Sequence, residues 1–479
     1  MADLNMDNLA RFYIGGVWVT PDSDQAMPVM NPATEDRIGD TILANETDVD
    51  RAVTAAVQAF EAFSRSSKQD RLDLLGRVLD ESRKRHEDLA QAMRMEMGAP
   101  ITMARAEQAE SGIGHLEAFI AALRDHPERE ELPNGDTLLR EPIGVCGLIT
   151  PWNWPINQIA LKVIPALATG CTCILKPSEH TPISAMIYAE ILDAAGVPPG
   201  VFNLIQGDGS GAGNAMSGHP DMQMISFTGS TRAGRAITRN AAETIKRVTL
   251  ELGGKSPNLV FADCDLQERV TGSVAECMYN SGQSCDAPTR LLVERSIYDE
   301  AVEIARKAAD ATAVGDPAEE GDHIGPLFDK LQYDRVQALI ETGISEGARL
   351  VTGGPGKPEG METGWYARPT IFADVRNDMT IAQEEIFGPV LVIIPFEDEE
   401  DAIRIANDTP YGLAAYIQCG DVDRAERVAT RLRAGAVHIN GGAFNYGSPF
   451  GGYKQSGNGR EGGRFGLEDY QEVKTLHRP

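Results

Sequence analysis

The chain has 479 residues, 42% of them apolar and 24% charged, which is ordinary for a soluble globular protein and long enough for two to three domains. Acidic residues outnumber basic ones by 71 to 44, and the formal charge of −27 argues against nucleic acid or an anionic membrane as a partner. Seven scattered cysteines without a C-x-x-C pair predict neither a disulfide framework nor a metal site. The chain shows no secretory pattern and no apolar run near ~20 residues, so we expect a cytoplasmic protein.

Short strands and turns are predicted first, followed by amphipathic helices. Thr47-x-x-Asp50 and Ser67-x-x-Asp70 resemble capping boxes and therefore predict two helix starts. Apolar residues at helical spacing follow both of them. A third helix is predicted over Ile101–Leu123. Together these helices predict a packing layer without a motif that indicates chemistry.

From residue 143 onward the pattern changes to strand, turn and helix. The predicted strands are Val145–Thr150, Cys171–Leu175, Val201–Ile205, Met222–Thr228 and Arg247–Leu252, and the predicted helices are Pro155–Thr169, Ile183–Ala195 and one that begins at Thr231. Apolar strands that alternate with helices predict a parallel sheet covered on both faces. Ligands of such sheets bind outside the carboxyl ends of the strands.

A second alternation runs from Asn258 to Ile439. Its predicted helices are Glu268–Tyr279, Ile297–Ala311, Lys330–Glu346 and Glu399–Asn407. A glycine-rich segment follows at residues 441–466. The last predicted strand, Tyr470–Leu476, has no obvious partner in the sequence.

One cysteine, Cys285, lies between the helix Glu268–Tyr279 and a short strand predicted over Thr289–Val293. A thiol at such a junction can be held in a cleft. An isolated free cysteine is nevertheless more often buried in a core, so this position alone does not indicate catalysis.

Three glycine-rich stretches are candidates for a phosphate loop. The stretch at 457–462 matches G-x-G-x-x-G but lies in a late loop with no clear strand before it, and the stretch at 207–213 follows a strand but has the wrong spacing. The stretch FTGSTRAG at 227–234 lies between a predicted strand and helix. Its backbone N–H groups and the helix dipole therefore favour a pyrophosphate.

Polar side chains follow three of the predicted strands. Lys176 and Glu179 can hydrogen-bond ribose hydroxyls, and a carboxylate there repels a 2′-phosphate, which favours NAD over NADP. Asn153, within PWNWP, can donate to a developing oxyanion. Partial desolvation of Glu251 should raise its pKa towards the range of a general base. Each motif alone is also compatible with a structural role.

Together the motifs resemble those of the NAD(P)-dependent aldehyde dehydrogenase superfamily over essentially the whole chain. In the order of that family they are PWNWP at 151, KPSE at 176, FTGS at 227, ELGGK at 251, GQSC at 282, EEIFGPV at 384 and PFGGYKQSG at 449. The resemblance implies an α/β aldehyde dehydrogenase fold with a Rossmann-variant cofactor domain that lacks G-x-G-x-x-G, an α/β catalytic domain and a small β oligomerisation arm. The implied ranges are 1–123 and 143–253 for the NAD-binding domain, 254–465 for the catalytic domain, and 124–142 with 466–479 for the arm. In this arm Tyr470–Leu476 would pair with a strand of a neighbouring subunit.

The resemblance also implies roles for individual residues. Cys285 corresponds to the nucleophile, and Glu251 corresponds to the base that activates the hydrolytic water. Asn153 corresponds to the side-chain half of the oxyanion hole, and Lys162 to a supporting lysine. The implied cofactor-binding residues are Trp152, Lys176, Glu179, Gly209, Gly229, Ser230, Leu252, Glu385 and Phe387.

The implied reaction is covalent. Cys285 attacks an aldehyde while Asn153 and the backbone N–H of Cys285 stabilise the oxyanion. Hydride passes to NAD+, and water activated by Glu251 hydrolyses the resulting thioester to the acid. The expected partners are a small aldehyde and further copies of the chain, in a homodimer or homotetramer.

Three alternatives remain, each disfavoured by a residue of this chain. A CoA-acylating relative would lack the glutamate base, but Glu251 is present. A non-catalytic NAD-binding structural protein is disfavoured because Cys285, Glu251 and Asn153 are intact. A cysteine hydrolase would need a histidine, and His180 alone lies in a motif-bearing loop.

The substrate is predicted from the residues that the resemblance places in the pocket. These residues are Trp154, Leu161, Tyr279, Ser284, Asp286, Phe444 and Phe450. A largely apolar and aromatic lining suits aromatic or medium-chain aliphatic aldehydes. Semialdehydes are disfavoured because no arginine lies among these residues and Asp286 would repel a carboxylate. Asp286 could instead favour a cationic substrate such as betaine aldehyde.

Overall fold

The computed structural model describes residues 4–477. Its strands are β1 (Phe12–Ile14), β2 (Val17–Val19), β3 (Ala26–Met30), β4 (Arg37–Ile42), β5 (Arg129–Glu131), β6 (Thr137–Pro142), β7 (Val145–Ile149), β8 (Thr172–Lys176), β9 (Phe202–Leu204), β10 (Met224–Thr228), β11 (Arg247–Glu251), β12 (Pro257–Val260), β13 (Arg290–Glu294), β14 (Arg349–Thr352), β15 (Thr370–Ala373), β16 (Val390–Phe396), β17 (Ala414–Gln418), β18 (Ala436–Ile439), β19 (Gly457–Asn458) and β20 (Gln471–Leu476). Its helices are α1 (Glu46–Phe63), α2 (Lys68–Lys84), α3 (His86–Glu96), α4 (Ile101–Met103), α5 (Glu110–Asp125), α6 (Pro155–Thr169), α7 (Pro182–Ala194), α8 (Asn214–Gly218), α9 (Thr231–Ala242), α10 (Leu266–Met278), α11 (Tyr298–Ala311), α12 (Lys330–Ser345), α13 (Thr380–Gln383), α14 (Glu399–Asn407), α15 (Val422–Ala429) and α16 (Gly463–Asp469). No helix in this part of the chain is long and apolar enough to cross a membrane.

The first large sheet has eight strands in the order β19-β11-β10-β7-β8-β9-β1-β2. The five strands from β11 to β9 are parallel; β19 and β1 flank them antiparallel, and β2 pairs antiparallel with β1. The central strands are almost fully buried because helices cover the sheet on both faces. The predicted parallel sheet is confirmed, with strand ends shifted by up to two residues.

The second large sheet has seven strands in the order β14-β15-β16-β13-β12-β17-β18. All pairs in it are parallel except that of β14 with β15. The predicted helices of this half begin and end within two residues of α10, α11, α12 and α14. Two apolar clusters cover the faces of this sheet, separate from the two clusters that cover the faces of the first sheet.

The C-terminal strand β20 belongs to a small antiparallel sheet with the order β20-β6-β5. It pairs with β6 along its whole length, from Gln471 opposite Pro142 to Leu476 opposite Thr137. A partner of this strand therefore lies in the same chain, which corrects the expectation that its partners belong to a neighbouring subunit. No local pattern indicates the pairing because the two strands are far apart in sequence. The predicted domain and arm ranges remain predictions, and their residues 1–3 and 478–479 lie outside the described residues.

The first capping box lies two residues earlier than Thr47-x-x-Asp50 predicts. Asn45 is the N-cap of α1, and its partner is Asp48. The carboxylate of Asp48 also accepts hydrogen bonds from the backbone of Asp22 and Ser23, so a contact with a distant loop selects this register. The second capping box, at Ser67, is confirmed.

The sequence analysis missed α3 and predicted too simple a third helix. A π-helical turn at Ala104–Ala109 separates α4 from α5, and local periodicity does not reveal such a turn. The last residue of α3, Glu96, is 2% exposed. Its carboxylate accepts hydrogen bonds from the backbone N–H groups of Ile183 (2.6 Å) and Ser184 (2.9 Å). It thereby caps α7, which directly follows the Lys176–Glu179 loop.

The carboxyl ends of strands in the first sheet face the amino ends of strands in the second. Asn153 follows β7 and Glu251 ends β11, so both lie at the carboxyl ends of the first sheet. Cys285 and Glu385 precede β13 and β16, so they lie at the amino ends of the second sheet. Hydrogen bonds connect the loops at these strand ends, for example from the Gly254 N–H to the Glu385 carboxylate at 3.0 Å. The candidate site therefore lies between the sheets.

The buried carboxyl of Glu96 should make the free energy of unfolding depend on pH. Burial is the main cause that raises its pKa from 4.5 to about 7. The folded chain then binds more protons than the unfolded chain between these pH values, so the free energy of unfolding falls as pH rises through this window and levels off above it. We expect the difference between wild type and Glu96→Gln to fall by about 2–3 kcal/mol from pH 4.5 to 7.5 in denaturant titrations. A difference that stays constant across this window would contradict the assignment.

Candidate active site

Cys285 lies in a loop whose backbone is left-handed at three consecutive residues. These are Asn280 (φ 51°), Ser281 (φ 57°) and Gly282 (φ 70°), directly after α10. A Cβ at Gly282 would overlap the backbone of the segment that precedes β16, so glycine is the residue that fits there. This reversal ends the helix and turns Cys285 towards the first sheet.

Carboxylates dominate the electrostatics around the half-buried Cys285. The pKa of its thiol is raised well above the ordinary value, first by burial and then by the negative charges of Asp286, Glu385 and Glu251. The backbone N–H of Cys285 itself opposes this shift, because it lies within hydrogen-bonding reach of the sulfur. The thiol is therefore protonated at neutral pH unless a nearby group takes its proton.

The predicted oxyanion residue Asn153 is anchored to the nucleophile loop. Its amide nitrogen donates to the backbone carbonyl of Gln283 at 2.9 Å. Its own backbone carbonyl accepts hydrogen bonds from the side chains of Asn280 (3.0 Å) and Gln108 (3.1 Å). Asn153 is 4% exposed, so these contacts are shielded from water. The structure thus brings Asn153 and the cysteine loop together, as predicted.

Glu251 is a buried acid beside a buried ion pair. It is 4% exposed, and neither carboxylate oxygen has a hydrogen-bond partner within the described chain. Burial raises its pKa well above the ordinary value, the negative charge of Glu461 adds to this effect, and Lys162 opposes it. The Lys162 ammonium contacts the carboxylate of Glu461 at 2.5 Å and the hydroxyl of Thr228 at 2.6 Å. A carboxylate without fixed partners is free to bind and deprotonate a water molecule.

Sequence reasoning missed Glu461. It lies within the G-x-G-x-x-G match at 457–462, which is a loop that runs back along the first sheet and pairs with β11 through β19. No periodicity or spacing indicates that a glutamate in such a loop contacts Lys162, because the contact joins residues 299 positions apart. The pairing of β19 with β11 and an antiparallel bridge between Phe450 and Glu461 place it there.

Lys176 and Glu179 lie together at the carboxyl end of β8. The ammonium of Lys176 donates to the backbone carbonyls of Gly207 (2.6 Å) and Pro177 (2.7 Å) and contacts Glu179 at 3.7 Å. Burial lowers the pKa of Lys176. The carboxylate of Glu179 is partly exposed and therefore available to a ligand.

The predicted pyrophosphate loop lies at a helix N-terminus. Ser230 is the N-cap of α9 and accepts a hydrogen bond from Ala233, and the first turn of this helix carries no acidic side chain. Gly229 and Leu252 lie beside it, with Leu252 packed against the start of α9. Gly209 is exposed and begins a π-helical turn, Gly209–Gly213, that leads into α8, with open space where a Cβ would point. These features fit a dinucleotide, whose phosphates a helix N-terminus favours.

The remaining predicted cofactor residues are Trp152, in the loop after β7, and Glu385 and Phe387, in the loop before β16. Phe387 has a left-handed backbone (φ 59°), and its carbonyl accepts a hydrogen bond from the amide of Gln332 at 2.8 Å. Its ring lies edge-on to Trp152, with the ring centroids 5.4 Å apart. Glu385 accepts the Gly254 N–H, and burial raises the pKa of this carboxyl. Gln332 was not anticipated, since nothing in its helix distinguishes it from an ordinary surface glutamine.

Aromatic rings gather on the other side of Cys285. Trp154 donates its indole N–H to the Ser284 hydroxyl at 2.9 Å, and its ring centroid lies 6.3 Å from that of Tyr279. Phe444 and Phe450 lie edge to face at 6.2 Å. Phe444 and Tyr279 are 46% and 40% exposed, so an apolar surface opens to solvent here. This part of the predicted pocket is brought together by the structure.

The two other predicted pocket residues, Leu161 and Asp286, are not part of this aromatic surface. Leu161 is 4% exposed and packs in the core beneath the first sheet. Asp286 is partly exposed; burial raises its pKa, and the hydroxyl of Tyr416 donates to its backbone carbonyl at 3.1 Å. Sequence reasoning missed His115, which packs edge-on against Phe444 at 6.0 Å and has a pKa lowered to about 4 by burial.

Comparisons with known proteins agree over nearly the whole chain. The model of the Aldehyde dehydrogenase family matches residues 18–476. A 3-succinoylsemialdehyde-pyridine dehydrogenase from a Pseudomonas species is 51% identical over 473 residues, which cover 98% of this chain and 99% of that protein. An aldehyde dehydrogenase of Bartonella henselae is 50% identical with a TM-score of 0.96, covering 97% and 98% of the two chains. A cysteine-to-alanine mutant of aldehyde dehydrogenase C from Pseudomonas syringae, in complex with NAD+ and octanal, is 47% identical with a TM-score of 0.98, covering 99% and 98%.

The backbone of the cysteine loop predicts that Gly282→Ala is damaging. A Cβ at this residue would strain the left-handed conformation and overlap the segment before β16. We expect a loss of about 1–3 kcal/mol in unfolding free energy and roughly 100-fold in turnover. Gly272→Ala is the matched control, since its new Cβ on α10 meets no atom within 4 Å. It should stabilise the helix by about 0.5–1 kcal/mol and leave turnover unchanged. Equal effects of the two variants would contradict this account.

Proposed function

Because the chain belongs to the aldehyde dehydrogenase family, it is an oxidoreductase that oxidises aldehydes, and we propose that it does so with NAD+ through a covalent thioester on Cys285. One observation carries this proposal. The half-buried thiol of Cys285, the anchored amide of Asn153 and the unpartnered carboxylate of Glu251 converge where the two large sheets meet. These are a nucleophile, an oxyanion donor and a base.

The proposed reaction uses Cys285, Asn153 and Glu251 in turn. The thiol of Cys285 loses its proton to solvent and its sulfur attacks the aldehyde carbon, and the oxygen that becomes negative accepts hydrogen bonds from the Asn153 amide and the Cys285 backbone N–H. When the C=O bond re-forms, the hydrogen of the aldehyde carbon leaves as hydride and a thioester remains on Cys285. Bound NAD+ supplies the hydride acceptor. Glu251 then removes a proton from a water molecule that attacks the thioester, and the acid leaves with the thiol restored. Lys162 and Glu461 hold a fixed charge pair beside Glu251 and so set the polarity around this base.

The cofactor proposal rests on the residues at the carboxyl ends of β8 and β10. Lys176 and Glu179 would hold the adenosine ribose, with Gly209 on the adenine side, and Gly229 with Ser230 would hold the pyrophosphate. Leu252, Trp152, Glu385 and Phe387 would line the remaining cofactor surface. NAD is favoured over NADP because the Glu179 carboxylate would repel a 2′-phosphate. The NAD+ in the complex of the Pseudomonas syringae relative is consistent with this choice.

The substrate proposal is an aromatic or medium-chain aliphatic aldehyde. The aromatic surface of Trp154, Tyr279, Phe444 and Phe450 supports it, as does the octanal bound to the Pseudomonas syringae relative. The name of the Pseudomonas relative joins a pyridine ring to a semialdehyde, so an aromatic semialdehyde is a second candidate. The partly exposed Asp286, next to Cys285 in the chain, disfavours aldehydes that carry a carboxylate and keeps a cationic aldehyde such as betaine aldehyde as a further candidate.

We also propose a cytoplasmic homodimer or homotetramer. The outer edge of β20 has no strand partner among residues 4–477, and Val473 on it is 62% exposed. Unpaired backbone groups on such an edge favour pairing with another copy. CoA-acylation and a purely structural role remain disfavoured, because both leave the unpartnered carboxylate of Glu251 without a use.

Glu251→Gln should separate the two half-reactions. Attack and hydride transfer do not need this carboxylate, but hydrolysis of the thioester does. We expect a burst of about one NADH per site in stopped-flow absorbance, followed by turnover slowed roughly 100-fold or more. Mass spectrometry should then detect an acyl group on Cys285. Because the pKa of Glu251 is raised, wild-type turnover should increase with pH as this carboxyl loses its proton. Unchanged multiple turnover in Glu251→Gln would disprove the role.

A substrate panel tests the pocket. We expect kcat/KM to be higher for benzaldehyde and hexanal than for succinic semialdehyde and betaine aldehyde. Asp286→Asn should improve succinic semialdehyde more than hexanal, because only the former carries a carboxylate that Asp286 repels. A higher kcat/KM for succinic semialdehyde than for hexanal in the wild type would overturn the proposal.

Alkylation of Cys285 across pH is the control for this panel. Among the nearby charges, that of Asp286 raises the pKa of the thiol most. Asp286→Asn should therefore move the alkylation midpoint to lower pH. A change in the panel without this movement would assign the effect of Asp286 to the substrate alone.

A further inference from the structure

A ring of contacts runs from the Asn153 amide through Gln283 and Phe328 and back to Trp152, which precedes Asn153. Gln283 and Phe328 have no assigned role. Gln283, in the cysteine loop, is 1% exposed. Its backbone carbonyl accepts the hydrogen bond from Asn153, and its side-chain oxygen accepts the backbone N–H of Phe328 at 3.0 Å. Its side-chain nitrogen donates to the carbonyl of Asn280 at 3.1 Å. One glutamine therefore links the oxyanion residue to the segment that precedes α12.

The ring of Phe328 continues the link. It stacks on the indole of Trp152 with the ring centroids 3.6 Å apart and the planes at 24°. The ring of His180 meets Phe328 edge-on at 5.0 Å. Trp152 is covalently bonded to Asn153, so the contacts return to their starting point. The backbone of this segment is fixed independently, because the hydroxyl of Ser281 donates to Gly325 at 2.7 Å.

We propose that Gln283 and Phe328 are positioning residues that set the Asn153 amide relative to the sulfur of Cys285. This inference rests on the proposed function, in which Asn153 stabilises the oxyanion. Asn153 lies in a loop after a strand of the first sheet, and Cys285 lies in a loop before a strand of the second. Their separation therefore depends on contacts between these two loops. The stacked pair fixes the backbone before Asn153, and Gln283 fixes the carbonyl that its amide contacts. A displacement of about 1 Å at such a site can cost roughly 100-fold in rate.

A double-mutant cycle tests the proposal. Phe328→Leu removes the stack, Phe328→Tyr keeps the ring, and Gln283→Met keeps the side-chain length without its hydrogen bonds. Each is made in the wild type and in Asn153→Ala. The readout is the single-turnover rate of NADH formation at saturating NAD+ and hexanal, with thermal unfolding and the pH profile of Cys285 alkylation recorded for every variant.

We expect Phe328→Leu and Gln283→Met to slow this rate roughly 10- to 100-fold in the wild type, and Phe328→Tyr to keep it. In Asn153→Ala neither change should slow the rate further, because the group that they position is absent. The alkylation profile should stay that of the wild type. Leu331→Ala, three residues further on and 77% exposed, is the matched control and should react at the wild-type rate.

Two results would overturn the inference. One is an equal slowing by Phe328→Leu in both backgrounds, and the other is a wild-type rate in Phe328→Leu. If Gln283→Met does not fold, the Phe328 variants decide alone. A near-wild-type rate in Asn153→Ala itself would instead disprove the oxyanion role in the proposed function. A slow Asn153→Ala combined with additive effects would disprove the positioning role alone.

Discussion

The hydrogen bond from the Asn153 amide to the Gln283 carbonyl is the contact on which the site depends. It joins the loop at the carboxyl end of a strand in one sheet to the loop at the amino end of a strand in the other. Each sheet packs against apolar clusters of its own. Packing within either set of clusters fixes its own strands but leaves the distance between the two loops undetermined. Polar contacts between the loops therefore set that distance, and they do so beside the thiol and the amide that the proposed function assigns to catalysis.

The second constraint is electrostatic. Asp286, Glu385 and Glu251 surround one thiol, and burial raises the pKa of all three carboxyls. Three ionised carboxylates in one partly desolvated cleft would repel each other and the thiolate. The buried ammonium of Lys162 offsets part of this charge, but its closest contact is with Glu461. Burial and mutual repulsion therefore shift the three carboxyls and the thiol towards their protonated forms, and the positive charge of Lys162 opposes this shift at Glu251.

The sequence predicted those features that depend on local pattern. Apolar strands followed by polar motifs located Asn153, Lys176 and Glu251 at the carboxyl ends of one sheet, because strand ends are visible as a change in composition. Features that depend on contacts between distant residues were missed. Glu461 reaches Lys162 through a two-residue strand, and Phe328 reaches Trp152 from a loop without any pattern. The capping box at Asn45 was misplaced because a distant loop, and not propensity, selects Asp48.

The same distinction explains where backbone strain occurs. Left-handed conformations at Asn280, Ser281 and Phe387 lie in the two loops that face each other across the thiol. Such conformations cost of order 1–3 kcal/mol each and persist only where surrounding contacts hold them. Hydrogen bonds from Gln283 to Asn280 and from Gln332 to Phe387 supply those contacts. Gln283 belongs to the same loop as Asn280, whereas Gln332 lies on α12, so the strained backbone is held partly within the cysteine loop and partly by a neighbouring helix.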